Sequence, residues 1–216
     1  MTDLFAGQHE SQPAQAAIAV GASLLRGFFT TEEPEVIVAL RIVVKQSPFR
    51  HLITPGGHTM SVAMTNCGRV GWVSDPSGYR YDPIDPDSGK PWPEMPAPFR
   101  DLAARAAVRA GFDAFVPDAC LINRYKPGAK LSLHQDKDEL DLGAPIVSVS
   151  LGLPATFLFG GLSRSDKVSR HRLTHGDIVV WGGPARLAYH GVAPLPDGEH
   201  PVMGGQRINL TFRKTC

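Results

Sequence analysis

His134 and Asp136 stand two residues apart in the run LSLHQDKDE. In an extended strand, side chains two apart share a face, so an imidazole and a carboxylate point one way while Gln135 points the other. Such a pair supplies two of the three ligands of a 2-His-1-carboxylate facial triad, which holds iron and leaves one face of the octahedron open to substrate and O2. The third ligand must be a distant histidine. Of the 8 histidines, His190 in RLAYHG is the best placed, as the end of a strand whose partner, HGDIVVWGG, could set it beside the first two. His9 and His200 sit in polar loops. A His-x-Asp pair on a solvated face is commonplace, so the assignment needs support from elsewhere in the chain.

The last strand supplies it. In RINLTFR, alternation puts Arg207, Asn209, Thr211 and Arg213 on one face and Ile208, Leu210 and Phe212 on the other. A half-solvated strand would show the same pattern, but so would a cavity wall that holds an anion. Two guanidiniums in reach of one carboxylate bind it through charge-assisted, bidentate bonds. In CLINRY, Leu121, Asn123 and Tyr125 share a face, so an amide and a phenol could reach the same acid. An iron triad beside a carboxylate clamp implies a keto acid with a second, distal carboxylate, and that is 2-oxoglutarate.

These residues need a scaffold of short strands laid edge to edge. From Asp118 onward ACLINRY, KLSLHQD, PIVSVSLG, ATFLFG, DIVVWG, RLAYHG and RINLTFR follow one another, separated by Gly or Pro turns. The pattern predicts a mainly β fold with flanking helices (α+β), a sandwich or jelly roll. One helix starts at Thr30 or Thr31 with Glu32, Glu33 and Pro34, carries an apolar stripe of Val36, Ile37, Leu40, Val43 and Val44, and ends at Ser47-Pro48. A second runs from Ala97 to Ala110, closed by Gly111, and both should pack on one sheet. Residues 50–95 are rich in Gly, Pro, Tyr and Trp, and YDPIDPDSGKPWPEMP is too proline-dense for regular structure. A long irregular segment in a compact domain usually serves as a lid or binding loop. Residues 1–15, polar and aperiodic, read as a loose arm, which leaves 16–216 as a single domain.

Composition narrows the function classes. With 216 residues, 43% of them hydrophobic, and a formal net charge of +1, the chain can bury one well-filled core. It is neither a disordered tail nor a strongly basic nucleic-acid coat, so any nucleic-acid contact must be local. Cys67, Cys120 and Cys216 match neither a zinc framework nor a disulfide scaffold, which points to reduced thiols and the cytoplasm. The start MTDLFA lacks the charged and apolar regions of a signal peptide. Uncharged Leu142 to Ser163 is long enough to cross a bilayer, but Pro145, Pro154 and several glycines and serines break it into strands, so no membrane partner is expected.

From Gln46 to Arg213 the chain resembles the AlkB-type iron and 2-oxoglutarate dioxygenases, which repair alkylated nucleobases. The resemblance runs in order through QSPFR, TPGGHTMSVAMTNCG, PIDPDSGKPWPEMP, PDACLINRYKPGAKLSLHQDKDE, APIVSVSLGLPA and HGDIVVWGG to the Arg-x-Asn-x-Thr-x-Arg signature at Arg207. It implies a double-stranded β-helix, Fe(II) on His134, Asp136 and His190, and 2-oxoglutarate held by Asn123, Tyr125, Arg207, Asn209 and Arg213. It also implies a nucleotide-recognition lid within residues 50–95. There Trp72 would stack on a flipped base opposite the ring of His134, and Tyr79 would hold the neighbouring phosphate; both could instead be packing aromatics. Asp138 would accept a bond from the exocyclic amine of a methylated adenine or cytosine. The basic cluster Arg164, Lys167, Arg170 and Arg172 would lie near the groove, with Arg164 nearest the base. His58 stands where the family pattern has tyrosine.

The implied reaction is oxidative demethylation of 1-methyladenine and 3-methylcytosine type lesions in DNA, preferably single-stranded, or in RNA, by a monomeric cytoplasmic enzyme that uses Fe(II), 2-oxoglutarate and O2. A dioxygenase acting on a protein or small molecule would need the triad and Arg207 but not Trp72, Tyr79 or the basic turn. A silent metal-binding jelly roll would close the iron with a fourth protein ligand and have no cleft.

Overall fold

The computed structural model describes residues 14–29 and 33–216. In chain order the elements are β1 (Gln15–Ala19), β2 (Ala22–Leu25), α1 (Glu33–Gln46), β3 (Arg50–Ile53), β4 (Thr59–Gly68), β5 (Gly71–Asp75), β6 (Gly78–Asp82), α2 (Ala97–Arg109), β7 (Ala119–Tyr125), β8 (Leu131–His134), β9 (Ile146–Gly152), β10 (Ala155–Phe159), β11 (Ser169–Leu173), β12 (Ile178–Trp181), a 3-10 turn at Gly183–Ala185, β13 (His190–Val192) and β14 (Arg207–Arg213). An eight-stranded sheet runs β1-β2-β12-β9-β14-β7-β4-β3, a four-stranded sheet runs β11-β10-β13-β8, and β5-β6 form a separate hairpin. The two larger sheets face each other as a jelly roll. No described helix is long and apolar enough to cross a membrane.

Strand alternation sorts the large sheet into two layers. Ile208, Leu210 and Phe212 of β14, Val147, Val149 and Leu151 of β9, and Ile178 and Val180 of β12 join Val36, Leu40 and Val43 of α1 and Phe99, Leu102 and Ala106 of α2 in one core. The opposite face, with Leu121, Tyr125, Ile146, Val179 and Trp181, packs against Phe157, Phe159 and Val192 of the small sheet. Each fully buried Leu, Ile or Phe contributes about 1.5–3 kcal/mol of transfer free energy. The helices therefore anchor the sheet from behind and leave its other face to carry chemistry.

The helix start expected at Thr30 to Glu32 and residues 1–13 of the expected arm lie outside the described residues. Helix α1 is described from Glu33, and Glu33 and Glu35 in its first turn complement the positive end of the helix dipole. Gln15, expected to close the arm, opens β1, and β1-β2 form an edge hairpin against β12. The Ala-rich run QAAIAVGASLL has weak strand propensity, and only pairing with β12 makes it a strand. Its turn needs Gly21, with φ of +80°, where a Cβ would meet the Gly182 carbonyl oxygen at 2.5 Å.

RLAYHG corrects the sequence reading. Arg186 to Tyr189 are not a strand, and His190 begins β13 rather than ending one. Its partners are β10 and β8, whereas HGDIVVWGG forms β12 in the other sheet. His190 stands directly opposite His134, and Val192 opposite Leu131, so Ser132 and Leu133 together oppose Gly191. This is a β-bulge, the kind of irregularity that re-aims side chains beside active sites. A Cβ on Gly191 would meet the Leu131 carbonyl oxygen at 2.6 Å. Gly191→Ala should therefore push β13 off β8, at an overpacking cost of about 1–3 kcal/mol. For a chain of this size the melting temperature should fall by about 2–12 °C, and metal affinity should fall with it. An unchanged melt with unchanged metal affinity would show that the bulge has no such role.

Candidate active site

His134 is the last residue of β8, and Asp136 lies just beyond it, outside regular structure. With His190 they form a cluster whose ligand atoms all lie within 4.8 Å of one another. The Nε2 atoms of His134 and His190 are each 3.7 Å from an Asp136 carboxylate oxygen. The Nδ1 of His134 contacts the Ser132 carbonyl oxygen at 2.8 Å, and that of His190 contacts the Ala188 carbonyl oxygen at 3.0 Å. A carbonyl can only accept, so both Nδ1 atoms carry a proton, and Nε2 is the atom each ring turns toward Asp136 and offers to a metal. Burial, and then neighbouring His134, lower the pKa of His190 to about 4, so its imidazole is neutral at neutral pH. Burial alone would raise the Asp136 carboxyl, but Arg213 first, then His190 and His134, hold it well below the usual carboxylate range. Two imidazoles and one carboxylate on one side of a cavity fit Fe(II).

The polar face of β14 is buried from end to end rather than half solvated. Arg207 is 1% exposed and its guanidinium lies 5.1 Å from the centre of the Tyr125 ring. It donates to Ser150 Oγ at 3.0 Å, while its Nε and Nη1 have no partner. Asn123 Oδ1 is likewise buried and unpartnered. Asn209 donates to Ser148 Oγ at 2.8 Å and accepts from Thr211 Oγ1 at 2.8 Å. Buried charges are ordinarily paired, so a guanidinium with two free donor atoms and no acid beside it fits a carboxylate ligand such as that of 2-oxoglutarate.

Arg213 differs from expectation. Six residue steps along β14, roughly 20 Å of strand, separate it from Arg207, so the two do not converge on one carboxylate. Its Nε donates to Asp136 Oδ2 at 3.0 Å and lies 3.2 Å from Glu139 Oε1. The two arginines thus mark opposite ends of the row, one between Ser150 and Tyr125 and one beside Asp136 of the triad.

A cavity of about 660 Å³ opens over the triad, and Trp72, Tyr79, Asn123, His134, Asp136, Asp138, Arg164, His190, Asn209 and Arg213 all line it. Trp72 and Tyr79, from the β5-β6 hairpin, stack with ring centroids 5.4 Å apart and 14° between planes. The ring partner of Trp72 is thus Tyr79, and its indole Nε1 donates to Asp138 Oδ2 at 2.9 Å. Arg164 reaches over the Tyr189 ring at 5.9 Å, while Arg170 and Arg172 are exposed on the edge strand β11. His58 is exposed in the β3-β4 turn. Of the expected lid, β3 and β4 belong to the eight-stranded sheet, and the β5-β6 hairpin carries both aromatics.

Three residues escaped the sequence reading: buried Glu139 and Arg186, and half-buried Tyr81. Glu139 accepts from Tyr81 Oη and from Arg186 Nη2, the latter at 3.0 Å. Arg186 also donates to the carbonyl oxygens of Asp136 at 2.7 Å and Ala144 at 3.0 Å. The only local sign of Glu139 was an acid at the end of a charged run, which normally reads as solvated surface.

Residues 21–213 match the family model described as the 2OG-Fe(II) oxygenase superfamily. The chain is 59% identical over 214 residues to the alpha-ketoglutarate-dependent dioxygenase AlkB of Escherichia coli (strain K12), covering 99% of this chain and 98% of that protein. It is 33% identical over 135 residues to the tRNA demethylase abh1 of Schizosaccharomyces pombe, covering 62% of this chain and 44% of that one. Among solved structures, that of OsALKBH1 matches with a TM-score of 0.80 and 28% identity over 93% of this chain and 99% of the other. With this triad, this recess and this likeness along its whole length, the chain belongs to the 2OG-Fe(II) oxygenase superfamily and, within it, to the AlkB-type dioxygenases that use Fe(II), 2-oxoglutarate and O2.

Proposed function

We infer that the chain demethylates alkylated nucleobases of the 1-methyladenine and 3-methylcytosine kind, in DNA or RNA. One observation carries the reading: a single cavity holds the triad, an acid and a stacked pair of aromatics on a hairpin above them. Bound Fe(II), with 2-oxoglutarate and O2, supplies the oxidation of the N-methyl carbon, which leaves as formaldehyde while 2-oxoglutarate becomes succinate and CO2. The chain's own residues place the reactants. His134, Asp136 and His190 hold the metal, and Asn123, Tyr125, Arg207, Asn209 and Arg213 hold the keto acid.

These lesions carry a fixed positive charge and cannot pair normally, so they are cheaper to flip, cheapest from a single strand. Trp72 offers an aromatic face, and the Asp138 carboxylate, with acceptor sites left over from its bond to Trp72, receives the exocyclic amine and opposes the charge. Tyr79 and Arg164 contact the flanking phosphates. The site needs residues from one chain only, which supports a monomer, and the free cysteines suit a reducing cytoplasm. Within residues 50–95 the β5-β6 hairpin supplies the lid of a single domain.

The test is anaerobic loading with Fe(II) and 2-oxoglutarate, then O2, in the presence of an oligonucleotide carrying one methylated base. The strand should lose the mass of one CH2 group as succinate accumulates. Succinate without that mass loss would assign another substrate.

Trp72→Ala should weaken binding of the methylated strand by about 5- to 150-fold, since stacking on an aromatic is worth about 1–3 kcal/mol per base. The melting temperature and 2-oxoglutarate binding should hold. A collapsed melt with all binding lost together would make Trp72 a packing residue.

A further inference from the structure

Trp72 and Tyr81 are direct cross-strand partners in the β5-β6 hairpin, so their side chains leave the hairpin on one face. They end on consecutive acids: Trp72 donates to Asp138, and Tyr81 donates to Glu139. Glu139 is buried, and its side chain also meets both Arg213 and Arg186. Arg213 Nε lies between Asp136 Oδ2 at 3.0 Å and Glu139 Oε1 at 3.2 Å. A continuous line of hydrogen bonds and an ion pair thus runs from the hairpin through Tyr81, Glu139 and Arg213 to the carboxylate of the triad.

We propose that Glu139 is a positioning residue that ties the β5-β6 hairpin to the metal centre: it divides the pull of Arg213 with Asp136 and latches Tyr81. The inference rests on the reading of His134, Asp136 and His190 as the metal site. With Glu139 ionised, two carboxylates and two guanidiniums balance, and Arg213 does not bear on Asp136 alone. With Glu139 neutralised, Asp136 becomes the sole carboxylate on Arg213, and its oxygens are less free to bind a cation. In the other direction, anything that fixes Asp136 and Arg213 also fixes the acceptor of Tyr81, so metal binding and hairpin closure favour each other reciprocally.

The probe is Mn(II) alone, a redox-stable ion for the same nitrogen and oxygen donors. Glu139→Gln keeps the shape and one acceptor but removes the charge. Replacing groups that hydrogen-bond metal ligands typically costs 10- to 100-fold in metal affinity, so the Mn(II) Kd of the folded variant, measured well below its melting temperature, should rise about 10- to 100-fold. A Kd within about twofold of wild type overturns the proposal, because a purely structural role would move the melt and not the Kd.

Tyr81→Phe removes one hydroxyl and keeps the ring, so it stays informative if Glu139→Gln fails to fold. Its Mn(II) Kd should rise by the same factor by which Mn(II) slows the hairpin's exchange in wild type, because the coupling is reciprocal. Amide exchange in Gly71–Asp82 should quicken about 10- to 150-fold, as expected for a lost hydrogen bond to a charged group. Mn(II) should slow that exchange in wild type and not in the variant; equal slowing in both overturns the link. A wild-type chain that binds no Mn(II) would overturn the metal-site reading itself, whereas binding with unmoved variants overturns only the positioning role.

Discussion

Arg207→Met should raise the Kd for 2-oxoglutarate by about 150- to 5,000-fold while raising, not lowering, the melting temperature of the ligand-free protein. Both halves follow from one observation. The Arg207 guanidinium is buried between Ser150 Oγ and Tyr125, with no acid beside it and with Nε and Nη1 lacking a geometric hydrogen-bond partner, and burial pulls its pKa below the ordinary arginine value. A buried charge without its partner is destabilising, and replacing it by an apolar side chain of similar volume is often stabilising. Once a carboxylate is bound, the pair is complete, and removing one member costs about 3–5 kcal/mol, which is the stated range in Kd. Thermal shift reads both effects together. In wild type, 2-oxoglutarate at one hundred times its Kd should add about 2.7 kcal/mol; the variant should melt higher without ligand and show little shift with it. A variant that melts lower and binds 2-oxoglutarate normally would place the anion elsewhere.

The largest effect on turnover should come from the triad. His134→Ala, Asp136→Ala and His190→Ala should each abolish it, because two remaining ligands cannot hold the metal with its open positions turned to the cavity. The loss should exceed the 10- to 100-fold typical of groups that merely hydrogen-bond a ligand. Stability should separate the three. The side chain of His134 is 34% exposed, so its removal should scarcely move the melt. Asp136→Ala removes a buried acceptor of Arg213, a bond to a charged group worth about 1.5–3 kcal/mol, and for this chain length the melting temperature should fall by about 3–12 °C. His190→Ala opens a void beside Trp181, whose ring is 4.8 Å away, and should also lower the melt. Full turnover in any folded variant would remove that residue from the metal.

The outcome at β14 explains why the site was so legible. Alternation along a strand is local geometry, so one stretch of chain suffices to place Arg207, Asn209, Thr211 and Arg213 together and Ile208, Leu210 and Phe212 opposite. The same holds for Leu121, Asn123 and Tyr125 on β7. The motifs also named their ligands, because few other purposes bring two imidazoles, a carboxylate and an arginine-bearing strand together.

Periodicity and motif therefore determined which side chains share a strand face, that the fold is mainly β, and that the helices back one sheet. Only the tertiary structure decided which strand lies beside which. β13 pairs with β8 rather than β12, and the bulge at Gly191 sets His190 opposite His134. It separated the two arginines, sending Arg207 to a recess over Tyr125 and Arg213 to Asp136. It also drew Glu139 out of what reads as a solvated charged run and joined it to Arg186 in a buried network. The reason is physical: a strand's faces are settled by its own backbone, but strand order and the burial of a charge depend on partners dozens of residues away. Glu139 can be buried because Tyr81, Arg186 and Arg213 arrive from three other parts of the chain, and no local pattern carries that information.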